Sequence, residues 1–161
     1  MTNDEVHGAL VRWIASLTDL KTIRAYQGKK TPPLPYIMVN FLGQAKVRQH
    51  PQTVEYVGDG EDPVTGVPVI EVEWRFSVHA YGDEPTDILR PIVSGVQLSQ
   101  VMEPLLPALV IHEVSQIRNV PDFINNAWQP RAQMDMFLRG IIRDGHGIDV
   151  IEQAQLEYRR A

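Results

Sequence analysis

The stretch Val69-Ile70-Glu71-Val72-Glu73-Trp74-Arg75-Phe76-Ser77-Val78-His79-Ala80-Tyr81 decides the fold. Strand side chains alternate between two faces, so Ile70, Val72, Trp74, Phe76, Val78 and Ala80 share one side. Glu71, Glu73, Arg75, Ser77 and His79 share the other. Alternation this long belongs to a sheet buried on one side only, which makes the sheet largely antiparallel.

Downstream, Gly82-Asp83-Glu84-Pro85 breaks the strand and offers Asp83 as a helix N-cap. Ile88, Leu89, Ile92, Val96 and Val101 then recur at helical spacing. Pro91 should bend this helix or mark its start, and Gly95 costs about 1 kcal/mol relative to alanine unless close packing requires it. Pro104 and Pro107 end the element. Leu109 to Val120 reads as a further strand. Arg131 to Leu138 reads as another, with Ala132, Met134, Met136 and Leu138 on one face and Arg131, Gln133 and Asp135 on the other. Asp144-Gly145-His146-Gly147 makes a turn, followed by a last segment, Ile148 to Tyr158, of undecided type.

Upstream, Thr2-Asn3-Asp4-Glu5 fits a capping box, and Val6, Leu10, Trp13, Ile14, Leu17 and Leu20 follow at helical spacing. Gly28 to Pro35 is a breaker-rich loop and Tyr36 to Leu42 a strand, with a more polar extended stretch from Ala45 to Tyr56. The glycines, aspartates and prolines between Val57 and Pro68 leave that segment without a regular element. The resulting order, α-β-β-β-α-β-β, gives an α+β domain spanning residues 1–161: a mainly antiparallel sheet with two helices packed on one face.

Composition bounds the function. The 161 residues suffice for one core, and 43% apolar with 22% charged residues is ordinary for a folded chain. No cysteine is present, which removes disulfides, thiolate metal sites and cysteine nucleophiles. A formal net charge of −5 argues against a nucleic-acid reader. No apolar run approaches the roughly 18 residues of a membrane span. The N-terminal segment is acidic where a secretion signal is basic, so the expectation is a soluble intracellular product.

Chemistry is hard to find. The five histidines, at 7, 50, 79, 112 and 146, show no metal-ligand spacing, although His79 and His112 sit in strands that a sheet could bring together. Asp59-Gly60-Glu61-Asp62 lacks the ligand spacing of a calcium loop. No nucleophile elbow, phosphate loop or dinucleotide fingerprint is present. The expectation is no catalytic, cofactor or metal residue. The mixed-charge faces of the two long strands are the candidates instead. Glu71, Glu73, Arg75 and His79, with Arg131 and Asp135, suit register-setting between subunits. Arg131 and Asp135 share a face about 13 Å apart, so each needs a partner elsewhere.

Three segments in order carry a family resemblance: Pro35-Tyr36-Ile37-Met38-Val39-Asn40-Phe41-Leu42, Glu73 to Gly82 with a helix behind it, and Pro130-Arg131-Ala132-Gln133-Met134-Asp135-Met136. From about residue 1 to 155 the chain resembles the bacteriophage neck or tail-terminator family. Such proteins show a proline-led first strand, an aromatic-Gly strand end and a late Arg-Ala-x-x-Asp strand. The resemblance implies a virion protein, assembled in the host cytoplasm, that closes into a ring of about six copies at the head-proximal end of the tail. Its implied partners are further copies of itself, tail-tube and sheath proteins, head-completion or neck proteins, and double-stranded DNA passing through the lumen without specific binding. A ring of six carries about −30, six times −5, which suits a conduit that must not hold phosphates. The segment from Gly58 to Pro68 is longer and more acidic than the family pattern, and residues 156–161 match none of it and read as an arm. A head-closure or other neck connector is the nearest alternative. A small ligand-binding protein or enzyme with a helix-sheet pocket is the alternative of another class.

Overall fold

The computed structural model describes residues 1–26, 28, 30–58 and 64–148. It opens on helix α1, Asn3–Thr18, whose capping box forms as read: Thr2 Oγ1 accepts from the Glu5 amide and Glu5 accepts from the Thr2 amide. Val6, Leu10, Trp13 and Ile14 are its buried stripe. A short strand β1, Lys21–Arg24, runs parallel to β2, Tyr36–Lys46. Then come β3, Thr53–Val57, and β4, Val64–Tyr81, the longest element of the described chain. Helix α2, Pro85–Gly95, and the short α3, Ser99–Met102, follow.

The second half adds β5, Leu109–Val114, β6, Arg118–Asn119, and a hairpin of β7, Asp122–Ile124, with β8, Ala127–Gln129. Strand β9, Arg131–Arg143, and β10, His146–Ile148, complete the described elements. The main sheet runs β1-β2-β4-β9-β5, with β3 and β10 both on β4 and β6 on β9. Among the described residues only the β1–β2 pair is parallel, so this is an α+β fold on a mixed, mostly antiparallel sheet.

The alternation reading holds through the core. Val72, Trp74, Phe76, Val78 and Ala80 are buried, as are Ala132, Met134, Met136 and Leu138, and these share one cluster with the apolar stripes of α1 and α2. The two buried indoles find acceptors, as a buried N–H requires. Trp74 Nε1 donates to Asn3 Oδ1 at 2.8 Å, and Trp13 Nε1 donates to the Val101 carbonyl at 2.7 Å.

Several boundaries differ from the sequence reading, each for a local reason. The α2 N-cap is Glu84, not Asp83, with φ +51° and Pro85 at the first helical position. Pro91 lies inside the helix. Gly95 is there for packing: a Cβ would stand 2.9 Å from Leu17 Cδ2 and 3.2 Å from Val101 Cγ1. The supposedly irregular segment before Pro68 is strand from Val64 onward, paired with β3 on one side and, at Val64 to Gly66, with β10 on the other. Pro68 falls between the β10 partners and Val69, where β9 begins, so the ladder on that side needs nothing from it. Asp144 and Gly145 interrupt a strand instead of reversing it, because β9 and β10 both run antiparallel to β4. The strand expected over Leu109 to Val120 is two strands, parted at residues 115–117. Residues 149–161, including the expected arm at 156–161, and the acidic residues 59–63 lie outside the described residues.

Candidate interaction face of the sheet

The side of β4 and β9 turned away from the helices carries the six candidate residues. Their register is fixed by the ladder: Glu73 faces Arg139, Arg75 faces Phe137, Ser77 faces Asp135, His79 faces Gln133 and Tyr81 faces Arg131. Glu73 is the hub, with its side chain 15% exposed. Arg139 Nε and Nη2 both stand 3.1 Å from Glu73 Oε2, and Arg75 Nε stands 3.5 Å from Oε1. Arg75 also lies over the Phe137 ring, its guanidinium carbon 5.5 Å from the centroid, a cation–π contact. Glu71 accepts from Gln52 Nε2 at 3.3 Å and has Arg48 Nε at 3.7 Å.

Arg131 and Asp135 do not meet, as their spacing requires, and each has its partner within the chain. Asp135 pairs with Arg118 on β6 at 2.9 Å. Arg131 pairs with Asp122 at the foot of the β7–β8 hairpin at 2.9 Å and donates from Nε to the Val120 carbonyl. Both residues therefore hold local structure in place. Ser77 is buried and accepts from Gln133 Nε2 at 2.8 Å, so this part of the face is drier than a free sheet surface. His79 Nδ1 is buried without a hydrogen-bond partner. Burial, helped by the neighbouring Arg131 charge, holds the His79 imidazolium below its ordinary range, and Asp135 opposes this only in part.

His79 and His112 are not brought together. His79 faces Gln133, whereas His112 sits at the β5 bulge opposite Phe137 and Leu138, four to five residues further along β9. At about 3.3 Å per residue that is 13 Å or more. A cavity of about 620 Å³ lies beside His112, lined among others by Gln52, Glu71, Val110, Arg139 and Arg143. Its charged groups are already engaged: Glu71 with Arg48, Arg139 with Glu73, and Arg143 Nε with Glu55 Oε2 at 3.5 Å. Among the described residues, no three His, Asp or Glu side chains converge to hold a metal ion. No described helix is long and apolar enough to cross a membrane.

The sequence reading missed Arg139 because it stopped the strand at Leu138; the alternation Arg131, Gln133, Asp135, Phe137, Arg139 was there to continue. It also passed over the hairpin. Asn125 and Asn126 both take positive φ, +51° and +60°, as a two-residue hairpin turn demands, and asparagine tolerates this well. Phe123 and Trp128 face each other across it, ring centroids 5.1 Å apart and both well exposed.

A model of the phage neck terminator protein family matches residues 4–159. The chain belongs to that family. It is thus a structural phage protein of the tail-terminator and neck type. Among solved structures it is similar to the sheath/tube terminator of an extracellular contractile injection system (PVC) in its extended state, with a TM-score of 0.51 at 10% identity. That match covers 100% of this chain and 65% of the other, so this chain spans less than two-thirds of its neighbour's length. The likeness is one of fold. A second solved structure, at 16% identity, covers 87% of this chain and 96% of its own with a TM-score of 0.36, too low to carry an argument. No curated protein matches.

Proposed function

We propose that the protein closes into a ring of about six copies at the head-proximal end of the tail, stops tube polymerisation and joins the tail to the head or neck. The observation that carries this reading is the family match over residues 4–159. The fold suits it. With α1 and α2 packed on one face of the sheet, the opposite face around the exposed Arg75 is left to meet a neighbour, and its charges are pre-ordered into the pairs around Glu73 and Glu71. Pre-ordered charges lose little freedom on docking and discriminate against wrong partners. Arg75, 54% exposed, is the member of the candidate set best placed to reach a partner, while Glu71, Glu73, His79, Arg131 and Asp135 shape the face around it.

A tube grows because each added layer recreates the surface for the next, a contact that does not close by itself. Ending it takes a subunit that fits the growing face and offers a different one outward. Tube and sheath proteins meet one side of the ring, neck proteins meet the other, and DNA passes through the lumen without specific binding. Assembly takes place in the host cytoplasm. Electron microscopy of a lysate lacking the protein tests this. DNA-filled heads separate from tails of excessive length, joined again on adding purified protein, are the expected result. Unattached tails of uniform normal length would assign head closure instead, and intact infectious particles would end the proposal.

A further inference from the structure

Two unlike patches stand apart from one another at the end of the sheet where β4 finishes. On one side, the exposed Phe123 and Trp128 project from the β7–β8 hairpin, and Trp128 lines a hollow with Asp83 and Glu84. On the other, a cleft along edge strand β1 is lined by Lys21, Tyr26 and Lys30, and Tyr26 is 93% exposed. Among the described residues, Asp83, Glu84, Lys21 and Lys30 have no ion-pair partner. This contrasts with Arg131, Asp135 and Glu73, whose charges are spent internally. Along the main sheet, β1 lies two strand spacings from β4, whose end leads into Asp83 and Glu84, and four from β6, which leads into the hairpin: roughly 10 Å and 19 Å at about 4.8 Å per strand.

We infer that the acidic, aromatic hairpin side of one copy docks on the basic β1 cleft of a second copy of this chain. Large exposed aromatics beside an opposite pair of unpaired charge clusters are what a specific contact needs: apolar area for affinity and complementary sign for register. Because the two patches differ and are lined by different residues, the contact is head-to-tail and leaves each copy with one free patch. It must therefore propagate until it closes. An isologous dimer would need one self-complementary patch, which neither side is. The inference rests on the ring-forming reading above only for closure; the contact itself rests on the two patches.

The absence of cysteine permits a clean test. In the full chain, Trp128→Cys together with Tyr26→Cys should give a ladder of covalent oligomers with a short bismaleimide, whereas either variant alone should give none. Sedimentation should show self-association weakened at least tenfold by Trp128→Ser, and equally by Lys21→Glu with Lys30→Glu or by Asp83→Lys with Glu84→Lys. Each charge-reversed protein alone should stay monomeric, because it presents two patches of one sign to its own kind, whereas mixing the last two should restore assembly through contacts of opposite sign, as should combining all four changes in one chain. Circular dichroism of each variant guards against misfolding, which exposed positions should not cause. A wild-type protein that stays monomeric at high concentration overturns the inference, as does wild-type assembly unaffected by Trp128→Ser and the reversals. Crosslinking by the Trp128→Cys variant alone points to an isologous contact and overturns it as well. Tail length in phage lacking the protein is read separately, so failure of this contact and failure of the terminator reading are told apart.

Discussion

Arg139 brings two guanidinium nitrogens to 3.1 Å from one oxygen of Glu73, on a sheet face where Glu73 is 15% exposed. Removing the carboxylate leaves Arg139 without its counter-charge in a half-dry site. Glu73→Ala should lower stability by about 1–3 kcal/mol. Arg75→Ala, at a side chain 54% exposed, should change it by less than about 1 kcal/mol. Urea unfolding midpoints of the two variants decide this. Equal midpoints would show that the Glu73 pair adds nothing.

Trp74 is fully buried in the middle of β4 and tied through Nε1 to Asn3 at the start of α1. Trp74→Ala should cost about 3–5 kcal/mol, as large aromatic truncations do. Asn3→Ala, which only orphans the indole N–H, should cost about 1 kcal/mol. A melting temperature within a degree or two of wild type for Trp74→Ala would be incompatible with this core.

Gly140 on β9 faces the layer in which Trp74 sits. A Cβ there would stand 2.7 Å from the Ala108 carbonyl oxygen and 3.1 Å from the Trp74 ring. Backbone cannot step aside as a side-chain tip can, so Gly140→Ala should destabilise by about 1–3 kcal/mol. Gly147→Ala meets no atom within 4 Å and serves as the control in the same thermal melts.

Acid should weaken the fold through two histidines. Burial lowers the folded-state affinity of His7 and His79 for a proton. The unfolded chain, with histidine near 6.5, then binds more protons than the folded one. The contribution is present above about pH 6.5 and is lost as pH falls towards the depressed folded values. The unfolding midpoint should therefore drop between about pH 7.5 and about pH 5, and His79→Asn should flatten the part of the slope that His79 carries. A slope unchanged by that variant would show that His79 does not contribute.

Much of this architecture was legible in the sequence because one-sided alternation is imposed by burial. Trp74, Phe76 and Met134 to Leu138 could only be one wall of a core, and the capping box at Thr2 and Glu5 marked the first helix without help from tertiary contacts. What was not legible depended on neighbours distant in sequence. Val64 to Pro68 reads as irregular until β3 and β10 supply its ladders. The β7–β8 hairpin is built from a turn of two asparagines, a weaker signal than Asn-Gly. Of the six candidate face residues, the alternation placed all on the outward side. The partners that bind Arg131 and Asp135 internally, Asp122 and Arg118, come from segments whose pairing no local pattern announces.

Strand β4 leads two lives along one backbone. From Val72 to Ala80 it is roofed by helices; from Val64 to Pro68 its neighbours are β3, exposed throughout, and the equally exposed β10. Amide protection should follow that division, with slow exchange near Trp74 set by global unfolding and fast exchange near Gly66 set by local opening. The outer third can then be peeled and re-formed while the inner part holds. Pulled from its outer end, such a strand yields there before the core is put at risk.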